Sequence, residues 1–429
     1  ALSSAASDVY KRQFICFAPL YKPDKIINGG DKNMQAVTLT SAENALKSFY
    51  LDVVAHQLNT ETNPLYNKIK QSESNVFGKE VRAAACYGVN GGIAAGTETG
   101  DLPEAYSNNY VSFVSTLKNL YGQIEISDKA IRASENSAGA FVNLLNAEME
   151  GLLRAAKFNF GRMLFGDGTG ALAKVTEAAS AKSAIVVDSA RNLTEGMVID
   201  IYATSETASA TASGCRILGI AVEKSESTSK IVVTLDTTVT VAANSIVYLC
   251  GSKGNEITGL ASIFSATGTL YGLDKSSNKW MIPYIGDNTG TISDAKIQKA
   301  IDAAEERAGS RIDTAVCSYG VRRAYASVLE TNKRNVNTVE LEGGFRAISY
   351  AGIPIIADRF APAGTMYLLD SKDFALHQLC DWRWLEGENG NILRQVPGKA
   401  VFNATLVKYA ELMCTRPGGQ AALTGITEG

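Results

Sequence analysis

Between residues 137 and 165, Phe141, Leu145, Met149, Leu152, Ala156, Phe160 and Met163 follow one another at intervals of 4, 4, 3, 4, 4 and 3 residues. That is the period of one apolar stripe on a long amphipathic helix. Ser134 or Ser137 can cap it, and Gly166-Asp-Gly-Thr-Gly170 stops it. At 1.5 Å per residue the helix spans roughly 43 Å, long for a globular domain and suited to a structural spine. Glu148, Glu150, Arg154, Lys157 and Arg162 break its apolar run. No stretch therefore reaches the roughly 20 apolar residues that a membrane helix needs.

The segments around the helix follow other patterns. Thr40-Ser41-Ala-Glu43 caps a shorter helix that runs to about Leu58. Residues 76–126 read as a long hairpin: Val76 to Tyr87 is extended, Asn109 to Leu117 alternates with period two, and Leu120 to Ile126 continues the return arm. Between them, Gly88 to Gly96 and Gly100-Asp-Leu-Pro103 make a tip too long for a tidy turn. Residues 177–251 are rich in Ser, Thr, Ala and Val and hold five strand-like runs, which reads as a small all-β insertion, an open barrel. From Gly254 a mostly extended stretch carries Trp280. After it come a helix from Ser293 to Gly309, a strand over 312–317, a helix over 319–332 and buried strands over 353–357 and 366–369, the alternation of an α/β unit. A short helix around Asp373–Leu379, strands over 392–396 and 400–414, and a frayed tail from Pro417 complete the reading.

Composition narrows the function classes. The chain has 429 residues, 45% hydrophobic and 20% charged, which is globular and enough for two or three cores. Its net charge of −3 disfavours tight binding along nucleic acid. Seven scattered cysteines without a C-x-x-C pair fit reduced thiols in a cytoplasm better than a disulfide framework. Gly91-Gly-Ile-Ala-Ala-Gly96 is not a dinucleotide fingerprint, and no strand–turn–helix surrounds it. His377-Gln-Leu-Cys380-Asp381 places a His, a thiol and a carboxylate close in sequence, but a zinc site needs a second ligand cluster and none is visible. No Ser, Cys or Lys has a base and an orienting partner nearby. No catalytic, cofactor or metal residues are expected.

Residues 1–33 have neither helical nor strand period, and Gly29-Gly-Asp31 precedes Met34 as a translated ribosome-binding site would. Translation is expected to begin at Met34, with 1–33 a non-native leader.

The order of parts resembles the Hong Kong 97-type major capsid proteins of tailed phages. Gly96-Thr-Glu-Thr-Gly-Asp-Leu-Pro103, Thr116-Leu-Lys-Asn-Leu-Tyr121, Glu125-Ile-Ser-Asp-Lys-Ala-Ile-Arg132, Phe374-Ala-Leu-His-Gln-Leu-Cys-Asp-Trp382 and Pro397-Gly-Lys399 are similar to stretches in members from phages of Gram-positive bacteria. The resemblance covers about Met34 to Ile426 and implies an α+β chain that catalyses nothing. Residues 34–75 would be an N-terminal arm, 76–126 the E-loop hairpin, and 127–176 the P-domain with the spine helix. Residues 177–251 would be an inserted all-β domain, 254–365 the A-domain, and 366–429 closing strands and tail. Lys79, Arg82, Glu98, Asp101 and Glu104 would be assembly contacts, and Phe141, Leu145, Met149, Leu152 and Phe160 the spine-helix core. The implied partners are further copies in pentamers and hexamers, a separate scaffolding protein, a portal, and packaged double-stranded DNA held by weak non-specific contact, with no membrane. The implied place is the virion capsid, after synthesis in the bacterial host cytoplasm. The rival readings are an encapsulin-like compartment and a secreted adhesin or S-layer protein, the latter needing a signal peptide that the sequence does not show.

Overall fold

The computed structural model describes residues 63–130, 138–205, 208–224, 229–287, 289–331, 338–340, 346–387 and 390–429. Of 138–147, 224, 331, 338–340, 346 and 347 it describes the backbone only. The expected leader 1–33, the helix over 40–58 and the side chains of Phe141 and Leu145 lie outside the described residues.

The spine is one helix, Ala138–Phe165. Met149, Phe160 and Met163 are buried as the stripe requires, while Leu152 is half-buried and Leu153 joins the core beside it. The helix lies on a five-stranded sheet. In that sheet Val401–Cys414 pairs antiparallel with Phe374–Trp384 on one side and with Lys118–Ser127 and Arg394–Gln395 elsewhere, and Lys70–Ser72 adds in parallel to Phe374–Trp384. Contact is close because residue 122 is glycine: a Cβ there would stand 2.9 Å from Leu152 Cδ1. One apolar cluster runs through helix, sheet, hairpin root and the segment 257–281.

Three expectations are corrected here. The return arm over 120–126 does not stay with the hairpin: Asn109–Thr116 pairs with Glu80–Tyr87, but Lys118–Ser127 has crossed to the spine-helix sheet. The segment 373–379 is not a helix. Ser371–Asp373 is a single 3-10 turn, and Phe374–Trp384 is a strand burying Phe374, Leu376, Trp382 and Trp384. Its period of two is blurred by register shifts between Gln378 and Arg383, so a short apolar run could be taken for a helix turn. The tail does not fray. Ala421–Leu423 is a buried strand between Tyr284–Gly286 and Met366–Leu369, and Glu428 accepts hydrogen bonds from Ser318 Oγ and Gly364 N. Pro417-Gly-Gly419 makes a buried turn rather than a loose end, packed so closely that a Cβ on Gly418 would meet the Trp280 carbonyl.

The insertion is a barrel of six strands in the order Ala171–Lys174, Ile246–Leu249, Val198–Tyr202, Ala212–Lys224, Ser229–Val241 and Ala179–Val187. Its first and last strands meet through Thr176 N to Val186 O (2.9 Å) and Asp188 N to Lys174 O (3.0 Å), so it is closed rather than open and begins at Ala171. Ile185, Ile199, Ile201, Ile217, Val233 and Val247 fill it as a separate core. The α/β unit is a seven-stranded mixed sheet running from Tyr284–Gly286 to Thr338–Glu340, with helices Asp294–Ala308 and Tyr319–Thr331. Ile297, Ala304, Val321, Tyr325 and Leu368 share its core. The first of these helices ends at Gly309 in the left-handed conformation (φ 63°), the expected stop.

Candidate assembly surface

The root of the hairpin is built into its own chain. On Glu80–Tyr87, Val81, Ala83 and Ala85 face inward while Arg82, Ala84 and Cys86 face out, and Phe113 on the second strand is buried. Trp280 stacks on Tyr87 at 4.7 Å and lies nearly parallel to Phe113 at 6.0 Å. Tyr271 packs against Phe113, and its carbonyl accepts the Val114 N–H at 3.0 Å. The sequence pattern left Trp280 without a role; the structure makes it the plate under the hairpin.

The tip is different. Residues 88–108 form no strand or helix, and every one is exposed except half-buried Gly92. Val89, Ile93 and Leu102 are 87%, 89% and 90% exposed, and Tyr106 and Tyr110 stand out beside them. The tip's internal bonds are polar: Asn90 Nδ2 donates to Asn108 Oδ1 (3.0 Å), and Tyr106 Oη donates to Glu104 (3.1 Å). They shape the loop without burying its apolar residues. Covering Val89, Ile93 and Leu102 would gain roughly 5–9 kcal/mol in transfer energy, and the described residues leave all three uncovered.

The structure separates the five expected contact residues into two groups. Lys79 and Arg82 are exposed at the root, where Arg82 pairs with Glu80 at 2.9 Å. Glu98, Asp101 and Glu104 are exposed in the tip. The five strand residues after Arg82, about 17 Å of extended chain, separate the two groups. The tip holds these three acids and no Lys or Arg. Sequence reasoning singled out its charges and passed over its apolar residues; their signal was aliphatic side chains placed among glycines.

His377 and Asp381, which stand close in sequence, are occupied structurally. His377 is buried and its Nδ1 meets the Ser74 carbonyl at 2.9 Å, which requires the ring nitrogen to donate. Asp381 accepts from Lys408 Nζ at 2.6 Å, and Lys408, fully buried, also donates to Gln378 Oε1 at 2.9 Å and lies over the Phe160 ring. Burial pushes the Lys408 pKa down, and Asp381 opposes that shift. His377, Cys380 and Asp381 are thus not assembled as ligands, and no group of three metal-ligating side chains occurs among the described residues. Arg162 and Glu256, both buried, form a two-pronged ion pair (2.6 and 2.8 Å) that joins the spine helix to the chain leaving the barrel. One surface hollow of about 350 Å³ lies among Leu385, Ile392, Arg394, Pro397 and Thr405. It holds no nucleophile beside a base. Among the described residues no helix is long and apolar enough to cross a membrane.

No protein-family model matches the chain, and no curated protein matches it. Several solved structures are similar. The Cyanophage A-1(L) capsid asymmetric unit is 14% identical with a TM-score of 0.49, covering 84% of this chain and 91% of that one. The capsid of an empty GTA particle is 12% identical with a TM-score of 0.43, covering 85% and 89%. The holo-SrpI encapsulin complex from Synechococcus elongatus PCC 7942 is 11% identical with a TM-score of 0.44, covering 87% and 95%.

Proposed function

We propose that this chain is a major capsid protein of the Hong Kong 97 type, the subunit of an icosahedral phage shell. The observation that carries the reading is the hairpin: its root is cemented into its own core, while its tip projects aliphatic side chains that none of the described residues covers. A second copy is the partner that a repeating shell supplies. The spine helix with its five-stranded sheet is the P-domain, the seven-stranded unit the A-domain, and the hairpin through Thr116 the E-loop. The barrel stiffens contacts or decorates the outside. The arm that reaches a neighbour is confined to residues before 63, a correction of the expected 34–75, because Leu65, Tyr66 and Ile69 are buried in the chain's own core and Lys70–Ser72 belongs to the spine-helix sheet. Lys79, Arg82, Glu98, Asp101 and Glu104 set the register of tip on neighbour more than the affinity. Pentamers and hexamers, a separate scaffolding protein and a portal complete the assembly. The net charge of −3 suits a wall that does not trap packaged DNA. The chain is made in the host cytoplasm and ends in the virion.

Electron microscopy with sedimentation tests this on the full chain, expressed alone and with any neighbouring scaffold gene. Closed icosahedral shells, or capsomers that close only with scaffold, are expected. A monodisperse monomer under every condition overturns the reading.

A further inference from the structure

At the foot of the hairpin the chain passes from one sheet to another within two residues. Thr116 still pairs with Glu80, and Lys118 already pairs with Ala410. This pivot is tied to one carboxyl group. Glu411 on the strand Val401–Cys414 is completely buried, and its Oε1 accepts from Ser115 Oγ and from Thr258 N, each at 3.2 Å. Ser115 belongs to the hairpin, and Thr258 opens the segment that carries Tyr271 and Trp280 beneath it. Among the described residues Glu411 Oε2 has no hydrogen-bond partner.

The charged and titratable groups around it are engaged elsewhere. Lys118, from the pivot, donates its Nζ to the Gly254 carbonyl at 3.0 Å. Tyr271, from the covering segment, donates to Leu412 O and accepts from Cys414 N. His377, the cross-strand partner of Glu411, meets Ser74 O. Among the described residues no cation comes within ion-pair distance of the carboxyl. A buried carboxylate with one bare oxygen is costly, and the same group protonated is not.

We infer that Glu411 is a proton-operated latch: protonated, it holds the root of the hairpin to the closing strand, and ionised, it loosens that root so that the tip can be re-aimed. Burial pushes the Glu411 carboxyl up to about 7, against the pull of the Thr258 and Ser115 bonds and the Lys118 charge. A carboxyl raised in the docked form takes up its proton on docking. Docking is therefore favoured fully below the ordinary value of 4.5 and weakened as pH rises through about 7. The use of such re-aiming, fitting one chain to more than one neighbour, rests on the shell reading; the latch does not.

Hydrogen exchange of the full, unassembled chain tests it. Corrected for intrinsic rates, amides of 80–87 and 109–118 are expected to lose protection about ten-fold or more between roughly pH 5.5 and pH 8, with a midpoint near 7. The Glu411→Gln variant, a neutral isostere that keeps the Oε1 acceptor, is expected to give a flat profile. Ser115→Ala removes a donor that favours the ionised form, so its midpoint should move to higher pH. The barrel strand Val198–Tyr202 serves as the region that should not respond. A Glu411→Gln profile that still follows wild type, or a wild type that does not respond, overturns the latch. Should Glu411→Gln not fold, an unmoved midpoint in Ser115→Ala overturns it instead. Failure of the chain to form shells would leave the exchange result standing.

Discussion

The barrel and the hairpin are both built from antiparallel strands, and they treat apolar residues in opposite ways. The barrel closes on itself through the meeting of Lys174–Thr176 with Val186–Asp188, and Ile199, Ile201, Val233 and Val247 are completely buried inside it. The hairpin has one covered face at its root and, beyond Tyr87, a tip with Val89, Ile93 and Leu102 in solvent. Closure removes sheet edges and completes a core, whereas a two-stranded arm cannot bury both of its faces. The first is a finished domain. The second leaves apolar residues that the described chain does not cover, as the proposed interface requires.

The largest effect that sharpens this contrast is expected where the barrel meets the spine. Arg162→Met leaves Glu256 buried without its cation, and breaking a buried pair from one side costs about 3–5 kcal/mol. Urea unfolding of the full chain should register that loss, while hydrogen exchange inside the barrel stays at the wild-type level. Within the barrel, Ile201→Ala is expected to cost about 2–4 kcal/mol, read as faster exchange over the barrel strands and little change in the hairpin. An equal rise of exchange in both regions would mean that the barrel is not an independent core. At the hairpin root, Arg82→Ala removes an exposed pair with Glu80 and should change stability by less than about 1 kcal/mol.

The spine helix was legible because its stripe repeats over seven positions, and a long periodic signal outweighs local accidents. The barrel was legible from composition, but not its first strand: Ala171–Lys174 is only four residues long and follows the glycine turn directly. The strand Phe374–Trp384 was hidden because Gln378 to Arg383 shift register, which puts His377 and Gln378 both inside. The tail was misjudged from Pro417-Gly-Gly419, whose small residues serve close packing against Trp280 rather than looseness. The hairpin's change of sheet at Leu117 has no local signal, since both strands alternate alike and only the partners differ. At the candidate surface the charges stood out in sequence. The buried Glu411 and the Arg162–Glu256 pair did not, because partners far apart in the chain decide their state.

Sedimentation velocity of the full chain and of its Ile93→Asp/Leu102→Asp variant, under conditions that assemble the wild type, decides whether the exposed tip is an assembly contact. The wild type is expected to sediment as large closed particles. The variant, with unchanged circular dichroism and thermal unfolding because both residues are solvent-exposed, should remain as small species. Equal assembly of the two proteins would contradict that contact and show that the tip finds no partner surface.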